Sequence, residues 1–127
     1  MKEKLLNLAN KIGNTKTILA SNIMSKYNLL SNLYLKLEKE NLTGSSKDRL
    51  VYYIIKDGIE KGLINENTII LEATSGNTGI SISAISNYLG LKSIIVMPED
   101  ASIERIKMIK EVNGHVVLTP KVLGIQG

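Results

Sequence analysis

Between residues 33 and 118, short apolar runs alternate with longer stretches of helical periodicity, and this alternation constrains the fold more than any other feature of the chain. The spacing predicts a strand over Leu33 to Leu37, then a helix over Lys47 to Lys61 with apolar residues at 50, 51, 54 and 55, ending near Gly62. Ile69-Ile70-Leu71 reads as a second strand, Gly79 to Leu89 as a helix closed by Gly90, and Ser93 to Met97 as a third strand stopped by Pro98. A helix from Ser102 to about Val112, with Asn113-Gly114 as its C-terminal signal, leads to a fourth strand at His115 to Leu118. Strands and helices alternating at these lengths build βαβ units, and right-handed crossovers lay the helices over the faces of a parallel sheet. The expected class is α/β, an open parallel sheet of about four strands with flanking helices. Residues 1–32 depart from the pattern. A short helix (Leu5 to Asn10), the turn Gly13-Asn14-Thr15 and a polar stretch from Ser21 to Asn32 suit a segment that caps the sheet or packs on something outside this chain. The expected division is 1–32 and 33–127.

Composition narrows the function. With 127 residues, 43% hydrophobic and 22% charged, the chain reads as one soluble globular domain. No apolar run approaches the ~20 residues of a membrane span, and the basic N-terminus MKEKLLNLAN lacks a signal-peptide core, so a cytoplasmic location is the default. There is no cysteine and one histidine, His115, which opens an apolar strand run. Disulfides, thiolate metal sites, cysteine nucleophiles and a Ser/His triad are thereby excluded, and no metal is expected. The net charge of +4 comes from lysines scattered singly, and the only aromatics are five tyrosines. Nucleic-acid binding, which needs a basic stripe and stacking platforms, is not expected.

In open parallel sheets, ligands bind at the carboxyl ends of the strands. Two loops should gather there. The loop Glu72-Ala73-Thr74-Ser75-Gly76-Asn77-Thr78-Gly79 has the make-up of an anion cradle. Its glycines admit a ligand close to the backbone, the following helix N-terminus offers free N–H groups, and Ser75, Asn77 and Thr78 add side-chain donors. Helix capping explains one of these residues, not the whole run. The loop Asn41 to Lys47 ends on Lys47 at the opening of a helix. The helix dipole and partial burial would disfavour its charged form and make it a usable amine nucleophile. An ordinary exposed first-turn lysine is the equal alternative. Neither loop carries the GxxxxGK[ST] or GxGxxG phosphate patterns.

The pair TGSSKDR and EATSGNTG, in this order and spacing, resembles the pyridoxal-phosphate (PLP) enzymes of the cysteine synthase and cystathionine β-synthase family, of fold type II. IGNT, LKLEKEN and MPEDASIERIKMIKEVNGHVVLT agree, so the resemblance runs from Ile12 to Thr119. It implies that Lys47 anchors PLP covalently and then removes the substrate α-proton, and that Asn77 hydrogen-bonds the cofactor ring oxygen. Thr74, Ser75, Gly76, Asn77 and Thr78 would hold the carboxylate of a small amino-acid substrate, while Asp48 and Arg49 would be structural. The implied reaction is β-replacement on O-acetylserine or serine by sulfide or a thiol.

Departures accompany the resemblance. The family usually carries proline where Lys16 and Leu42 stand, which loosens two turns without touching the chemistry. Relatives are more than twice as long, with a second domain that supplies a glycine-rich phosphate cup and most of a homodimer surface. The chain as given therefore reads as the N-terminal part of such an enzyme, expected to be inactive alone. Two alternatives remain: a non-catalytic α/β module that binds an amino acid or a partner, and a PLP-dependent serine/threonine dehydratase, against which the SGNTG loop argues.

Overall fold

A computed structural model describes residues 1–126, with side chains to residue 124. Its centre is a parallel sheet of three strands, β3 (Ile69–Ala73), β4 (Lys92–Pro98) and β5 (His115–Thr119), in the order β3-β4-β5. Leu71 pairs with Ile94 and Ile94 with His115, so all three strands run in register toward one rim. The linking helices are α4 (Asn77–Leu89) and α5 (Ile103–Glu111). Along β4 the alternation buries Ser93, Ile95 and Met97, while Ile94 and Val96 on the other face stay half-exposed. One face is therefore packed and the other open.

The packed face belongs to α4. Ile80, Ile82, Ile85 and Leu89 are buried in one core with Ile95 and Met97 of β4 and Ile109 of α5. Ser81, Ser83 and Ser86 are also fully buried, because α4 is enclosed on several sides and only small side chains let its neighbours approach. Two glycines serve the same close packing. A Cβ on Gly79 would stand 2.9 Å from Ile95 Cγ2, and one on Gly114 would stand 2.3 Å from Ser83 Oγ. α4 ends on Gly90 at φ 84, a left-handed cap that suits glycine.

α3 (Lys47–Glu60) lies against α4 and buries Val51, Tyr52 and Ile55. α1 (Lys2–Ala9) adds Leu5 and Leu8 to the same core, and Ile12 joins them. The observed elements match the expected ones within a few residues from 47 onward.

The expected fourth strand is a correction. Its middle, β2 (Tyr34–Lys36), does not enter the parallel sheet but pairs antiparallel with β1 (Thr17–Leu19), Ile18 opposite Leu35. Alternation marks a strand but not its neighbour, and β1 is too short to have announced itself. Between them, Ser21–Lys26 forms a short helix, α2, where a polar stretch was expected. Ile18, Leu19, Tyr34 and Leu35 are exposed, so this two-stranded arm has no apolar layer against it. No described helix is long and apolar enough to cross a membrane.

Candidate functional site

Lys47 and Asn77 occupy equivalent places, each the first residue of a helix, α3 and α4. A buried carboxylate draws the two helix starts together. Asp48, fully buried, accepts from Thr43 N at 2.7 Å, from Thr43 Oγ1 at 2.6 Å and from Ser81 Oγ at 2.6 Å. Thr43 and Ser81 hydroxyls also lie 3.3 Å apart. The lysine loop is thus tied to the first turns of α4, and the two loops singled out in the sequence meet. Ser45 Oγ accepts from Lys47 N at 3.1 Å, which closes the turn before α3.

Four polar bonds shape the second loop, one of them from Arg105 Nη1 to Ser75 O at 3.2 Å. Thr74 N donates to Val96 O at 2.9 Å, continuing the β3–β4 ladder past the strand end. Gly76 N donates to Thr74 Oγ1 at 3.2 Å, and Gly79 N to Gly76 O at 3.2 Å. Thr74, Ser75, Gly76 and Thr78 are half-buried and Asn77 is exposed. A polar cleft of about 290 Å³ lies between Thr43, Asn77 and Ile80 on one side and, on the other, Ser102 just before α5 with Arg105 and Met108 of that helix.

Of the two readings that the sequence left equal for Lys47, partly buried or exposed, the structure has it exposed. Its neighbours Ser45 and Asp48 take the buried positions.

A second network stands behind the lysine loop, and it unites segments that are far apart in sequence. Arg49 grips Glu38 with two bonds, Nε to Oε2 at 2.9 Å and Nη2 to Oε1 at 3.0 Å. The same Nη2 donates to Thr15 Oγ1 at 3.0 Å, and Thr15 Oγ1 donates to Glu38 Oε1 at 2.9 Å. Asn41 Nδ2 donates to Glu38 Oε2 at 2.8 Å, while Asn41 Oδ1 accepts from Gly13 N at 2.8 Å. The Arg49 hydrogen bond holds the Glu38 carboxyl down at about 2, against partial desolvation that pushes it up. The same pairing raises Arg49. Glu38, Thr15, Asn41, Ser81 and Arg105 are thus parts of the site's frame that periodicity and spacing did not single out. Arginine itself was the available signal: the chain has two, against fourteen lysines.

The donor set suits PLP and an amino acid at the part of the site that is present. The side chains of Lys47, Ser75, Asn77 and Thr78 make no hydrogen bond among the described residues. A primary amine, one amide and two hydroxyls are therefore unpartnered among the described residues, the amine at the start of α3 and the others at the start of α4. The amine matches the cofactor's aldehyde and the other three match a carboxylate or ring oxygen.

Comparison with known proteins agrees. The model of the pyridoxal-phosphate dependent enzyme family matches residues 8–124. A cysteine synthase of Flavobacterium sp. is 41% identical over 98% of this chain and 39% of its own length. Cysteine synthase B of Campylobacter jejuni is 46% identical over 91% of this chain and 37% of its own. Among solved structures, the cysteine synthase of Entamoeba histolytica superposes with a TM-score of 0.87 at 29% identity, over 94% of this chain and 36% of that one. A hydrogen sulfide-producing enzyme of Fusobacterium nucleatum gives 0.85 at 34% identity, over 100% and 38%. The chain spans a little over a third of the length of these relatives. Matched by the family over residues 8–124 and 41% identical to a relative over 98% of its own length, the chain belongs to the pyridoxal-phosphate-dependent enzymes.

Proposed function

We propose that this chain carries the lysine and substrate loops of a cysteine synthase-type enzyme, which replaces the β-substituent of O-acetylserine or serine with sulfide or a thiol. The observation that supports the reading is the Asp48–Ser81 bond, which ties the start of α3 to the first turns of α4, the helix that the Thr74–Thr78 loop leads into. When bound, PLP supplies an electron sink for the substrate's α-carbon. Lys47 holds the cofactor through its amine and, once displaced, takes the α-proton on Nζ. Asn77 donates to the cofactor ring oxygen. Ser75, Asn77 and Thr78 hold the substrate carboxylate in the loop that the Gly76–Thr74 bond shapes, which orients the proton toward Lys47.

Residues 33–127 form the small α/β domain in this reading, with α1 and Ile12 packed into its core, and the rest of 1–32 packs on a large domain that also supplies the phosphate site and the surface of a homodimer. The exposed apolar residues of the β1–β2 arm support such a contact. So does the exposure of Lys47, which needs a cover to exclude water. A cytoplasmic place, a small amino-acid substrate and no role for nucleic acid or membrane complete the proposal.

The test has two arms. The 127-residue chain is incubated with PLP, desalted, and treated with borohydride to locate the label. The expected result is no stable stoichiometric adduct at Lys47 and no β-replacement. A longer assembly containing this segment should lose turnover on Lys47→Ala and retain part of it on Asn77→Ala, since the second change removes one hydrogen bond, roughly 1–3 kcal/mol. Undiminished turnover of Lys47→Ala would sink the reading.

A further inference from the structure

The Ser75–Gly76 peptide is gripped on both edges. Its carbonyl oxygen accepts from Arg105 Nη1 of α5 at 3.2 Å, across thirty residues of sequence. Its N–H donates to Thr74 Oγ1 at 3.2 Å. A trans peptide carries these two groups on opposite edges of one rigid plane, so the pair of bonds sets the rotation of that plane. Among the described residues no other side chain from outside residues 74–78 bonds to their main chain. Gly76 has no Cβ to resist rotation, and the space a Cβ would take meets nothing nearer than Thr74 Oγ1 at 3.8 Å. The loop at its glycine is therefore held by partners, not by its own sterics.

Arg105 is in no ion pair among the described residues, unlike Arg49. Glu104 lines the same cleft beside it and leaves the guanidinium to Ser75. A planar guanidinium directs its donors along fixed lines and loses less freedom per bond than an ammonium on a flexible stem.

We propose that Arg105 is a positioning residue for the substrate loop. It fixes the Ser75–Gly76 peptide plane, and with it the alignment of the donors at Asn77 and Thr78 that receive an amino-acid carboxylate. The proposal rests on the carboxylate reading of the loop given above. Arg105 itself does not touch the substrate.

Amide hydrogen exchange by NMR on the 127-residue chain tests the anchoring without cofactor. In Arg105→Ala the amides of residues 75–78 should exchange about five-fold faster, the loss of one exposed bond. Those of Thr43 and Asp48 should be unchanged, and Arg105→Lys should fall between. Unchanged exchange at 75–78 overturns the proposal. So does an equal rise at Thr43 and Asp48, which marks general destabilisation. A second arm titrates O-acetyl-L-serine into the same samples and follows the loop resonances. Affinity should fall about five-fold in Arg105→Ala, and equal affinity in parent and variant overturns the proposal. If the parent shows no response at the loop, the carboxylate reading falls, and the exchange difference alone decides whether Arg105 anchors the peptide.

Discussion

Asp48 shows how one buried side chain sets the geometry around its neighbour. Its carboxylate is fully buried yet receives three short donors, so its desolvation is offset by charge-assisted bonds. Asp48→Ala would strand Thr43 N, Thr43 Oγ1 and Ser81 Oγ together, and should cost about 3 kcal/mol in a urea titration. Glu38 works at the same scale but announces itself through pH. Arg49 lowers its carboxyl from the ordinary 4.5 to about 2. A carboxyl depressed on folding stabilises fully above its unfolded value and loses that contribution as pH falls through the folded one. The Glu38–Arg49 contribution should therefore be complete above about pH 5 and vanish toward about pH 2. Melting curves of the parent and Glu38→Gln should differ at neutral pH and converge across that window. A constant gap would mean that Glu38 is not the titrating group.

At the scale of elements, α4 decides most of the packing. Three serines rather than large residues line its buried surface, and Ser83 and Ser86 hydroxyls find no partner there. Their role is to be small. Gly114, which ends the turn from α5 into β5, comes so near that a Cβ would meet Ser83 Oγ at 2.3 Å and Ile109 Cγ2 at 2.6 Å. Neither neighbour is the free end of a long side chain, so Gly114→Ala must push β5 away from α4 and should destabilise by about 1–3 kcal/mol. Thermal unfolding of the variant checks this, and an unchanged melting point would mean that the α4–β5 contact is looser than it stands here. The same reasoning explains why element boundaries from residue 47 onward follow the sequence closely. Gly62, Gly90 and Asn113 adopt positive φ where helices end, a local requirement written in local residues.

Over the whole molecule the three-stranded sheet is covered on one face only. Parallel strands are ordinarily buried on both. Here Ile69, Leu71 and Val117 stay 51%, 65% and 40% exposed, a patch that should bind a hydrophobic dye and favour self-association. Leu71→Lys should reduce both while shifting stability by no more than about 0.5 kcal/mol, because little packing is removed. Dye fluorescence and sedimentation check the first claim, and a marked loss of stability would show the face to be packed after all. The βαβ order of residues 69–119, the packed side of β4 and the two unusual loops follow from periods of 2 and 3.6 and from glycine and proline stops, which are local properties. Motif spacing likewise identified the family before any geometry. The partner of Tyr34–Lys36 did not follow, because alternation assigns faces and not neighbours. Nor did the exposure of Lys47, the joining of Thr15, Glu38, Asn41 and Arg49, or the reach of Arg105 to Ser75. Each of these depends on residues distant in the chain, and only the packed arrangement of α3, α4 and α5 determines which of them meet.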